Sequence, residues 1–284
     1  MCWQYIYELA GRRQCEVWVT DDKRLDEFIP PPSSGDLIIW RYMDFTKFIA
    51  MLENRALFFS RVSHLDDPFE GSFPRHQSPI SRIIEMLPKG AVPPGAKLHV
   101  SPGLEDTWRC MRYWAMVNCW HASEHESAGM WKLYAASDLA VALRSTVDRL
   151  RGALGTPPPV REGFFGTDRF HIGMIEYIDF DTGRIPPGSF ASQFFRKHRS
   201  FEHERELRAM VLEYPLSEAG EFDWLRQPDD SGASFPVNLD TLIEAVFIAP
   251  QAPKWYVELV SKAARRYGLA VEPQHSELGA TPLY

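Results

Sequence analysis

The segment from Asp36 to Ser60, DLIIWRYMDFTKFIAMLENRALFFS, constrains the fold more than any other part of the sequence. Its two ends, LIIWRYM and ALFFS, carry the aliphatic and aromatic residues that favour strands. The middle, from Asp44 to Asn54, has apolar residues at the i, i+3, i+4 and i+7 positions of an amphipathic helix, which are Phe45, Phe48, Ile49 and Leu52. A strand, a helix and a strand in direct succession predict a unit that nucleates the core.

The remaining sequence predicts further strands and helices without an internal repeat. Strands are predicted over 114–120, 139–144, 173–179 and 244–250, and helices over 78–87, 125–136, 145–150 and from Pro253 to Gly268. Ser145 is the predicted N-cap of the helix that it begins, and the apolar face of the last helix is Tyr256, Leu259, Val260 and Ala263. The expected fold class is α+β: a single domain with a mixed, mostly antiparallel sheet, continuous or split, and flanking helices.

The first 35 residues differ in pattern from the rest. Residues 3–9 and 14–19 alternate apolar and polar side chains around Ala10-Gly11-Arg12, which predicts a hairpin, and three prolines at 30–32 then interrupt regular structure. We therefore predict an N-terminal hairpin and Pro-rich appendage over 1–35 and an α+β domain over 36–284. The Pro- and Gly-rich stretch from His64 to Leu104 is predicted to be a long excursion within that domain.

Composition limits the partners and the compartment. The net charge of −7 argues against sequence-independent binding of nucleic acid, because such binding needs clustered Lys and Arg. The four cysteines are too widely spaced for a disulfide framework, and the start MCWQYIYELAGRRQ has no signal-peptide pattern. No apolar run reaches the length of a membrane span. We expect a cytoplasmic protein with free thiols and no membrane association.

Arg41 is the first candidate site residue, since it sits in a strand that is otherwise apolar and aromatic. A buried guanidinium needs an anionic partner, either a carboxylate in a structural ion pair or a ligand. The segment HLDDPFEG is a second candidate, with Asp66, Asp67 and Glu70 placed around Pro68. Aspartates stabilise turns by bonding their own backbone, so a structural loop is favoured over a catalytic or ligand-holding one.

The segment HERELR carries the candidate catalytic residues. If it is extended, Glu204, Glu206 and Arg208 point to one side and the apolar residues after them to the other. Two neighbouring carboxylates with an arginine can tune one acid or base. The alternative is a helical turn in which Glu204 and Arg208 form a surface pair. We favour the strand, and expect that changing either glutamate to glutamine preserves folding while activity falls.

The segment CWHASEHESAGMWKLY supplies aromatic and polar candidates. Trp120 and Trp131 can be stacking platforms for a base, although such groups are more often core, and Glu126 and Ser127 can simply cap a helix. The spacing of Cys119, His121 and His125 fits no zinc motif, so no metal is predicted. The sequence also lacks GxGxxG, GxxxxGK[ST] and GxSxG, which argues against a Rossmann dehydrogenase, a P-loop NTPase and an α/β-hydrolase.

Five stretches, in order, carry a resemblance to a known family: WRYMDFTKFIAMLENRALFFS, SHLDDPFEG, NCWHASEHESAGMWKLYA with VALRST, HERELR, and DTLIEAVFIAP with the helix after it. On these the chain resembles the bacterial family called domain of unknown function 2971, from about Asp36 to the C-terminus. The resemblance implies the extent of the domain and no activity.

The order of elements also resembles that of the ADP-ribosyltransferase superfamily, in which a basic residue on an early strand precedes a carboxylate on a late strand. The resemblance implies that Arg41 binds the diphosphate or ribose of NAD and that Glu204 or Glu206 is the catalytic carboxylate. NAD would be a substrate, with no tightly bound cofactor, and the context would be bacterial defence or a toxin system. The superfamily's middle Ser-Thr-Ser element is poorly matched, because Ser145 and Thr146 are predicted to cap a helix.

Two other functions remain open. The first is a non-catalytic effector module whose cleft binds a nucleotide or a partner protein through Arg41, Arg208 and the aromatic residues. The second is a nuclease or hydrolase that uses His64 with Asp66, Asp67 and Glu70. The full set of candidate ligand-binding residues is Arg41, Tyr42, Asp67, Glu70, Trp120, Glu126, Ser127, Trp131 and Arg208. We expect the charged candidates, Glu126 among them, to converge on one cleft.

Overall fold

The structure, a computed structural model, describes residues 2–9, 12–20, 25–77, 97–99, 104–134, 138–186, 191–220, 223 and 226–279. The predicted helix over 78–87 lies outside these residues. The strands are β1 Cys2–Leu9, β2 Arg12–Thr20, β3 Ile38–Asp44, β4 Ala56–Arg61, β5 Lys97–His99, β6 Ala115–Ala122, β7 Ala140–Thr146, β8 Phe164–Gly166, β9 His171–Met174, β10 Glu176–Ile178, β11 Arg196–His198, β12 Glu206–Pro215, β13 Gly232–Pro236, β14 Ala245–Ile248 and β15 Gln274–His275.

The helices flank these strands. The α-helices are α1 Phe45–Asn54, α2 Leu104–Trp114, α3 Ala128–Tyr134, α4 Val147–Leu154, α5 Leu239–Leu242 and α6 Lys254–Arg266. Short 3-10 helices occupy Leu25–Phe28, Val62–His64, Ser192–Phe195, Arg199–Glu204 and Glu277–Gly279. Within the described part of the chain, none of the helices has the length and apolar character needed to cross a bilayer.

The unit β3-α1-β4 forms as its sequence predicts. Asp44 caps α1 by accepting a hydrogen bond from the backbone N–H of Lys47 at 2.8 Å. Phe48 and Leu52 are buried on the inner face of the helix. Arg55 ends the helix in the left-handed conformation, with φ 45°, and so turns the chain directly into β4.

A ten-stranded sheet forms the centre of the fold. Its order is β13-β4-β6-β3-β7-β14-β15, and β12 pairs with the other edge of β6 and with β8 and β9. Every pairing in this sheet is antiparallel except that of β14 with β15. The predicted class, a mixed and mostly antiparallel α+β domain, is confirmed.

The central sheet is split at one edge of β6. β4 pairs with β6 at Val117 and Met116, and β3 pairs with it at Ala122 and His121. Among the described residues, no strand lies against the stretch 118–120 on this edge. β3 and β4 are joined by α1 and are close in sequence. They pair with different ends of β6, so a gap opens between them.

Two side chains cross this gap and satisfy the backbone there. Asn118 Nδ2 donates to the carbonyl oxygen of Phe58 at 2.9 Å. Arg41 Nη1 donates to the carbonyl oxygen of Cys119 at 2.9 Å. Unpaired backbone groups are costly when they are buried, so side chains replace the missing ladder.

The core lies on both faces of the sheet. Its largest cluster packs α1, α4 and α6 against one face and includes Ile39, Phe48, Leu52, Phe59, Trp120, Leu143, Leu207, Val246 and Tyr256. A second cluster includes Ile29, Val62, Met111, Trp114, Phe194, Phe195 and Tyr214. A third, smaller cluster joins Trp40 and Tyr42 of β3 to Met130 and Trp131 of α3.

The N-terminal strands form as predicted and make a sheet of their own. β1 pairs antiparallel with β2 and, on its other edge, with β5. The Pro-rich segment packs on the central sheet, since the N–H of Met174 donates to the carbonyl oxygen of Pro30 at 2.7 Å and Ile29 is buried beside Phe195. The division of the chain at residue 35 stays a prediction.

Several local predictions need correction. The cap of α4 is Thr146, whose hydroxyl accepts from the N–H of Arg149, because β7 runs on through Ser145, which is buried and donates to the carbonyl oxygen of Leu242 at 2.5 Å. Leu259 is 40% exposed, since the inner face of α6 is Tyr256, Val260 and Ala264. The strand predicted over 173–179 is interrupted at Ile175 into β9 and β10. The helix predicted over 125–136 begins only at Ala128, its residues 135–136 lie outside the described residues, and the sequence does not predict α2.

Candidate functional site

A cleft of about 650 Å³ lies where β3 and β4 diverge from β6. Its wall is formed by β3, α1, β4, β6, the loop 65–70, Tyr134 and residues of the segment 197–208. Nine of the candidate residues line it, namely Arg41, Tyr42, Asp66, Asp67, Glu70, Trp120, Glu204, Glu206 and Arg208. The split sheet therefore brings together residues that are far apart in sequence.

Glu126, Ser127 and Trp131 are not part of the cleft wall. Glu126 accepts hydrogen bonds from Trp131 Nε1 at 3.1 Å and from the hydroxyl of Ser276 at 2.6 Å. Ser127 caps α3 and donates its N–H to the hydroxyl of Tyr42 at 2.8 Å. These three residues support the back of Tyr42, so the expectation that Glu126 shares the cleft is corrected.

The segment HERELR changes conformation in its middle. Glu204 ends the 3-10 helix Arg199–Glu204, Arg205 adopts the left-handed conformation with φ 42°, and β12 begins at Glu206. Glu206 and Arg208 then leave the strand on one side, while Leu207 enters the core on the other. The predicted period of two holds from Glu206 onward, and Glu204 reaches the same region through the turn at Arg205. The alternative of a surface helix is excluded.

Arg208 is the most completely bonded side chain of the site. Its Nε and Nη2 each lie 2.7 Å from Glu206 Oε1, and Nη1 and Nη2 donate to the two oxygens of Glu70 at 3.0 and 3.1 Å. Nη1 also donates to the carbonyl oxygen of Phe194 at 2.6 Å. All three guanidinium nitrogens thus have acceptors, as a fully buried guanidinium requires.

Lys197 joins the three carboxylates of the cluster. Its Nζ lies 2.6 Å from Glu204 Oε2 and 3.3 Å from both Glu206 Oε2 and Glu70 Oε1. Burial alone would lower the pKa of Lys197, but the charges of Glu206 and Glu70 outweigh it and raise that pKa. The sequence reasoning missed Lys197, because nothing in the basic run RKHR distinguishes a buried lysine from a solvated one.

Glu206 is held ionised in the interior. Burial works to raise its pKa, but Arg208 and Lys197 outweigh burial and lower the pKa of Glu206 to about 2. The thiol of Cys119 hydrogen-bonds to the same carboxylate, and burial together with the charge of Glu206 raises the pKa of that thiol. Cys119 therefore stays protonated and is a poor nucleophile.

Glu204 lies at the edge of this cluster and is the most exposed of its three carboxylates. Oε2 accepts from Lys197, and Oε1 accepts from the hydroxyl of Tyr134 at 2.9 Å. Burial and the nearby charge of Glu204 raise the pKa of Tyr134, so this phenol stays protonated and donates. The carboxylate of Glu204 is fixed in position by two donors from different elements.

Arg41 reaches the cleft from the other side of the gap. Its guanidinium donates to the carbonyl oxygen of Cys119 and lies 5.9 Å from the centre of the Trp120 ring. Among the described residues, no carboxylate lies within ion-pair distance of it, so the structural ion pair considered from sequence is not found. Burial lowers the pKa of Arg41, yet an arginine keeps its charge in proteins. The cleft thus contains the cation of Arg41, and only one hydrogen bond from its guanidinium is made to the described residues.

The loop HLDDPFEG uses most of its polar groups in structural contacts. Asp67 Oδ1 accepts from the N–H of Phe69 at 2.9 Å, and the N–H of Glu70 donates to the carbonyl oxygen of Asp67 at 3.1 Å. Glu70 is fully buried against Arg208, while His64 and Asp66 are exposed. No group of three His, Cys, Asp or Glu side chains in the described part of the chain could hold a metal ion. The absence of a bound metal stays a prediction.

No family model matches the chain, and no curated protein matches it. The resemblance to domain of unknown function 2971 therefore stays a prediction. Among solved structures the chain is similar to DarT of Thermus sp. 2.9 in complex with NAD+, at 11% identity and a TM-score of 0.38, over 88% of this chain and 100% of that one.

The same DarT appears in two further complexes. With carba-NAD+ the identity is 13% and the TM-score 0.32, over 86% of this chain and 95% of that one. With ADP-ribosylated ssDNA the identity is 12% and the TM-score 0.34, over 87% and 95%. At these identities and TM-scores the likeness does not extend to residues or chemistry.

Proposed function

We propose that the chain is an NAD-consuming enzyme of the ADP-ribosyltransferase type. In this proposal Arg41 holds the diphosphate or the adjoining ribose of NAD+, and Glu204 is the catalytic carboxylate. The observation that carries the proposal is that one cleft contains both an arginine with no carboxylate partner among the described residues and a carboxylate fixed by two donors. An anionic ligand would form an ion pair with Arg41, and the carboxylate of Glu204 would stabilise a developing positive charge.

The size and lining of the cleft suit a dinucleotide. Sites for ligands of this size typically enclose about 300–1,000 Å³, and the cleft encloses about 650 Å³. Its aromatic lining includes Tyr42, Phe58, Trp120, Tyr134 and Phe201, which offer faces for a base or a nicotinamide ring. Arg41 lies beside Trp120, so a phosphate bound there would have an aromatic wall next to it.

Glu204 is better placed than Glu206 to assist the reaction. When the bond between the ribose and nicotinamide breaks, its electron pair leaves with nicotinamide and positive charge develops on the sugar. A fixed carboxylate nearby stabilises that charge. Glu206 is enclosed by Arg208, Lys197 and Cys119, whereas Glu204 lies at the edge of the cluster. We therefore assign the catalytic role to Glu204 and a supporting role to Glu206.

The test is release of nicotinamide from NAD+. Purified protein is incubated with NAD+ in water and with candidate acceptors, and free nicotinamide is measured by chromatography and mass. Single-stranded DNA is included as an acceptor because one DarT complex contains it, although the net charge of −7 argues against non-specific binding. Release that is lost in Glu204→Gln supports the proposal. Folded protein that binds no NAD+ and releases no nicotinamide with any acceptor refutes it.

A non-catalytic binding module is the second candidate. The observation that favours it is that both oxygens of Glu204 already accept hydrogen bonds, so the carboxylate is part of a bonded structural network. A module of this kind would bind a nucleotide through Arg41 and return it intact. Wild-type protein that binds NAD+ without releasing nicotinamide would support this candidate over the enzyme.

The geometry gives less support to a nuclease or hydrolase built on HLDDPFEG. Glu70 is committed to Arg208 and Lys197, and one oxygen of Asp67 is committed to the N–H of Phe69. Asp66 is exposed at the cleft wall, and His64 is exposed and is not part of that wall. Hydrolysis of nucleic acid by the wild-type protein, lost in Asp66→Asn, would favour this candidate.

A further inference from the structure

His121 has a hydrogen-bonding arrangement that defines its protonation state. It lies on β6 opposite Glu206, lines the cleft and is 8% exposed. Its Nδ1 lies 2.6 Å from the backbone carbonyl oxygen of Glu204. A carbonyl oxygen can only accept a hydrogen bond, so Nδ1 carries the hydrogen. The second ring nitrogen, Nε2, has no hydrogen-bond partner among the described residues.

The surroundings keep this ring neutral. Burial lowers the pKa of His121, the charges of Arg205 and His203 act in the same direction, and Glu204 opposes them. The other titratable neighbours are Tyr42 on β3, whose ring centre is 6.4 Å away, Glu206 on β12 and Cys119 on β6 itself. A neutral imidazole with its hydrogen on Nδ1 presents an unprotonated Nε2.

We propose that Nε2 of His121 accepts the proton of the second substrate. This inference rests on the proposed function and deepens it, because it assigns a chemical class to the acceptor. A group that must lose a proton as it attacks, such as a hydroxyl or a ring or amide N–H, needs a base, whereas an anion does not. The acceptor is therefore a neutral group that carries a proton.

The transfer step balances with these groups. The bond from C1′ of the ribose to nicotinamide breaks, and its electron pair leaves with nicotinamide. A lone pair of the acceptor forms the new bond to C1′, and the acceptor's proton passes to Nε2. The imidazolium that forms lies beside the segment of Glu204 and later returns the proton to water. Glu204 supplies fixed charge and His121 takes the proton, since both oxygens of Glu204 already accept hydrogen bonds.

The variant His121→Asn separates the base from the structural contact. The asparagine amide N–H takes the place of Nδ1–H toward the carbonyl oxygen of Glu204, but the residue has no basic nitrogen. Transfer is measured with methanol, a neutral acceptor, and with azide, an anion at pH 7. We expect His121→Asn to keep wild-type NAD+ affinity and azide transfer within about threefold and to lose methanol transfer by about 100-fold.

The pH profile gives a second readout. Wild-type methanol transfer should fall as the pH drops through a midpoint below 6.5, because protonated Nε2 cannot accept a proton. Azide transfer should lack this fall. If His121→Asn does not fold, absence of this fall in the wild-type protein alone overturns the inference, as does an equal loss of methanol and azide transfer in a folded variant.

Nitrogen-15 spectra of the histidine rings test the tautomer without any assay. The signal that disappears in His121→Asn should show hydrogen on Nδ1 at pH 7 in the wild-type protein, and hydrogen on Nε2 overturns the inference. The two proposals fail differently. If wild-type protein releases no nicotinamide, the proposed function fails and this inference with it. If His121→Asn transfers to methanol at the wild-type rate, only the role of His121 fails.

Discussion

Arg208 and Glu70, 138 residues apart in sequence, form a two-pronged ion pair inside the protein. Nη1 donates to Oε2 at 3.0 Å and Nη2 to Oε1 at 3.1 Å, and neither side chain is exposed. The pair ties the loop after β4 to the start of β12, and these two segments form part of the cleft wall. Its integrity should therefore affect both stability and the shape of the site.

The first prediction concerns this pair. Glu70→Gln should lower the free energy of unfolding by about 3–5 kcal/mol, because it leaves one prong of a buried arginine without its charged acceptor. Urea unfolding measures the change. The matched control is Glu258→Gln, which removes an exposed partner of Lys262 at 3.8 Å and should cost less than about 0.5 kcal/mol. Equal losses in the free energy of unfolding would show that the buried pair contributes no more stability than an exposed one.

The second prediction is an acid-dependent loss of stability that depends on Glu206. Its pKa is about 2 in the folded protein, below the 4.5 of a free glutamate, so the ionised form stabilises the folded state. The contribution, on the order of 3 kcal/mol, is present above pH 4.5 and is lost as the pH falls toward 2. Urea midpoints from pH 7 to pH 2 should fall less in Glu206→Gln than in the wild-type protein. Parallel curves would contradict the prediction.

The contacts of Glu206 change the expected effect of Glu206→Gln on folding. Glu206→Gln was expected to preserve folding, because two adjacent carboxylates repel each other. In the structure Arg208 and Lys197 compensate that repulsion, so the glutamine should destabilise the protein by about 3 kcal/mol. The sequence spacing correctly predicts that Glu206 and Arg208 lie on one side of a strand. It does not predict that Lys197 lies beside Glu206 and offsets its charge.

The parts of the fold that the sequence predicts are those set by local periodicity. The helix at Phe45–Asn54 and the alternation from Glu206 onward follow from side-chain direction in helices and strands. The parts that it does not predict depend on long-range packing. Lys197 enters the cluster through its contacts with Glu204 and Glu206, and Ser145 donates to Leu242 because β7 runs two residues further than its pattern indicates.

Candidate residues divide in the same way. The sequence identifies Arg41 because an arginine in an apolar strand is unusual, and this signal is independent of topology. Glu126 carries no such signal, since a carboxylate at the start of a helix serves equally well in a cap or in a site. Of its actual partners, Trp131 lies on the helix that follows it, and Ser276 becomes a neighbour only when the C-terminal segment lies beside α3.

The third prediction separates binding from stability at Arg41. Arg41→Gln should weaken NAD+ binding by roughly 30-fold, the equivalent of about 2 kcal/mol for lost charge-assisted hydrogen bonds. The free energy of unfolding should change by less than about 1 kcal/mol, because no carboxylate among the described residues loses a partner. Titration calorimetry and thermal melting measure the two effects. Arg151→Gln, an exposed change on α4, is the control that should alter neither.

The last prediction concerns Glu204, where stability and activity should separate. In Glu204→Gln, Lys197 keeps Glu70 and Glu206 as partners, and the amide oxygen of the glutamine can still accept a hydrogen bond. The change also removes one of three carboxylates that share two cations. We expect the free energy of unfolding to shift by less than about 1 kcal/mol while nicotinamide release falls by at least roughly 100-fold.

Melting temperature, NAD+ affinity and nicotinamide release should be measured on one preparation of Glu204→Gln and on Glu206→Gln beside it. The structure predicts opposite results, because Glu206 is enclosed by Arg208 and Lys197 whereas Glu204 is held at the cluster's edge by Lys197 and Tyr134. Glu206→Gln should lower the melting temperature. Glu204→Gln should lower nicotinamide release while its melting temperature and NAD+ affinity stay unchanged. A Glu204→Gln protein that melts early yet keeps wild-type activity per folded molecule would reduce Glu204 to a structural residue. The charge that assists the departure of nicotinamide would then have to come from another side chain of the cleft.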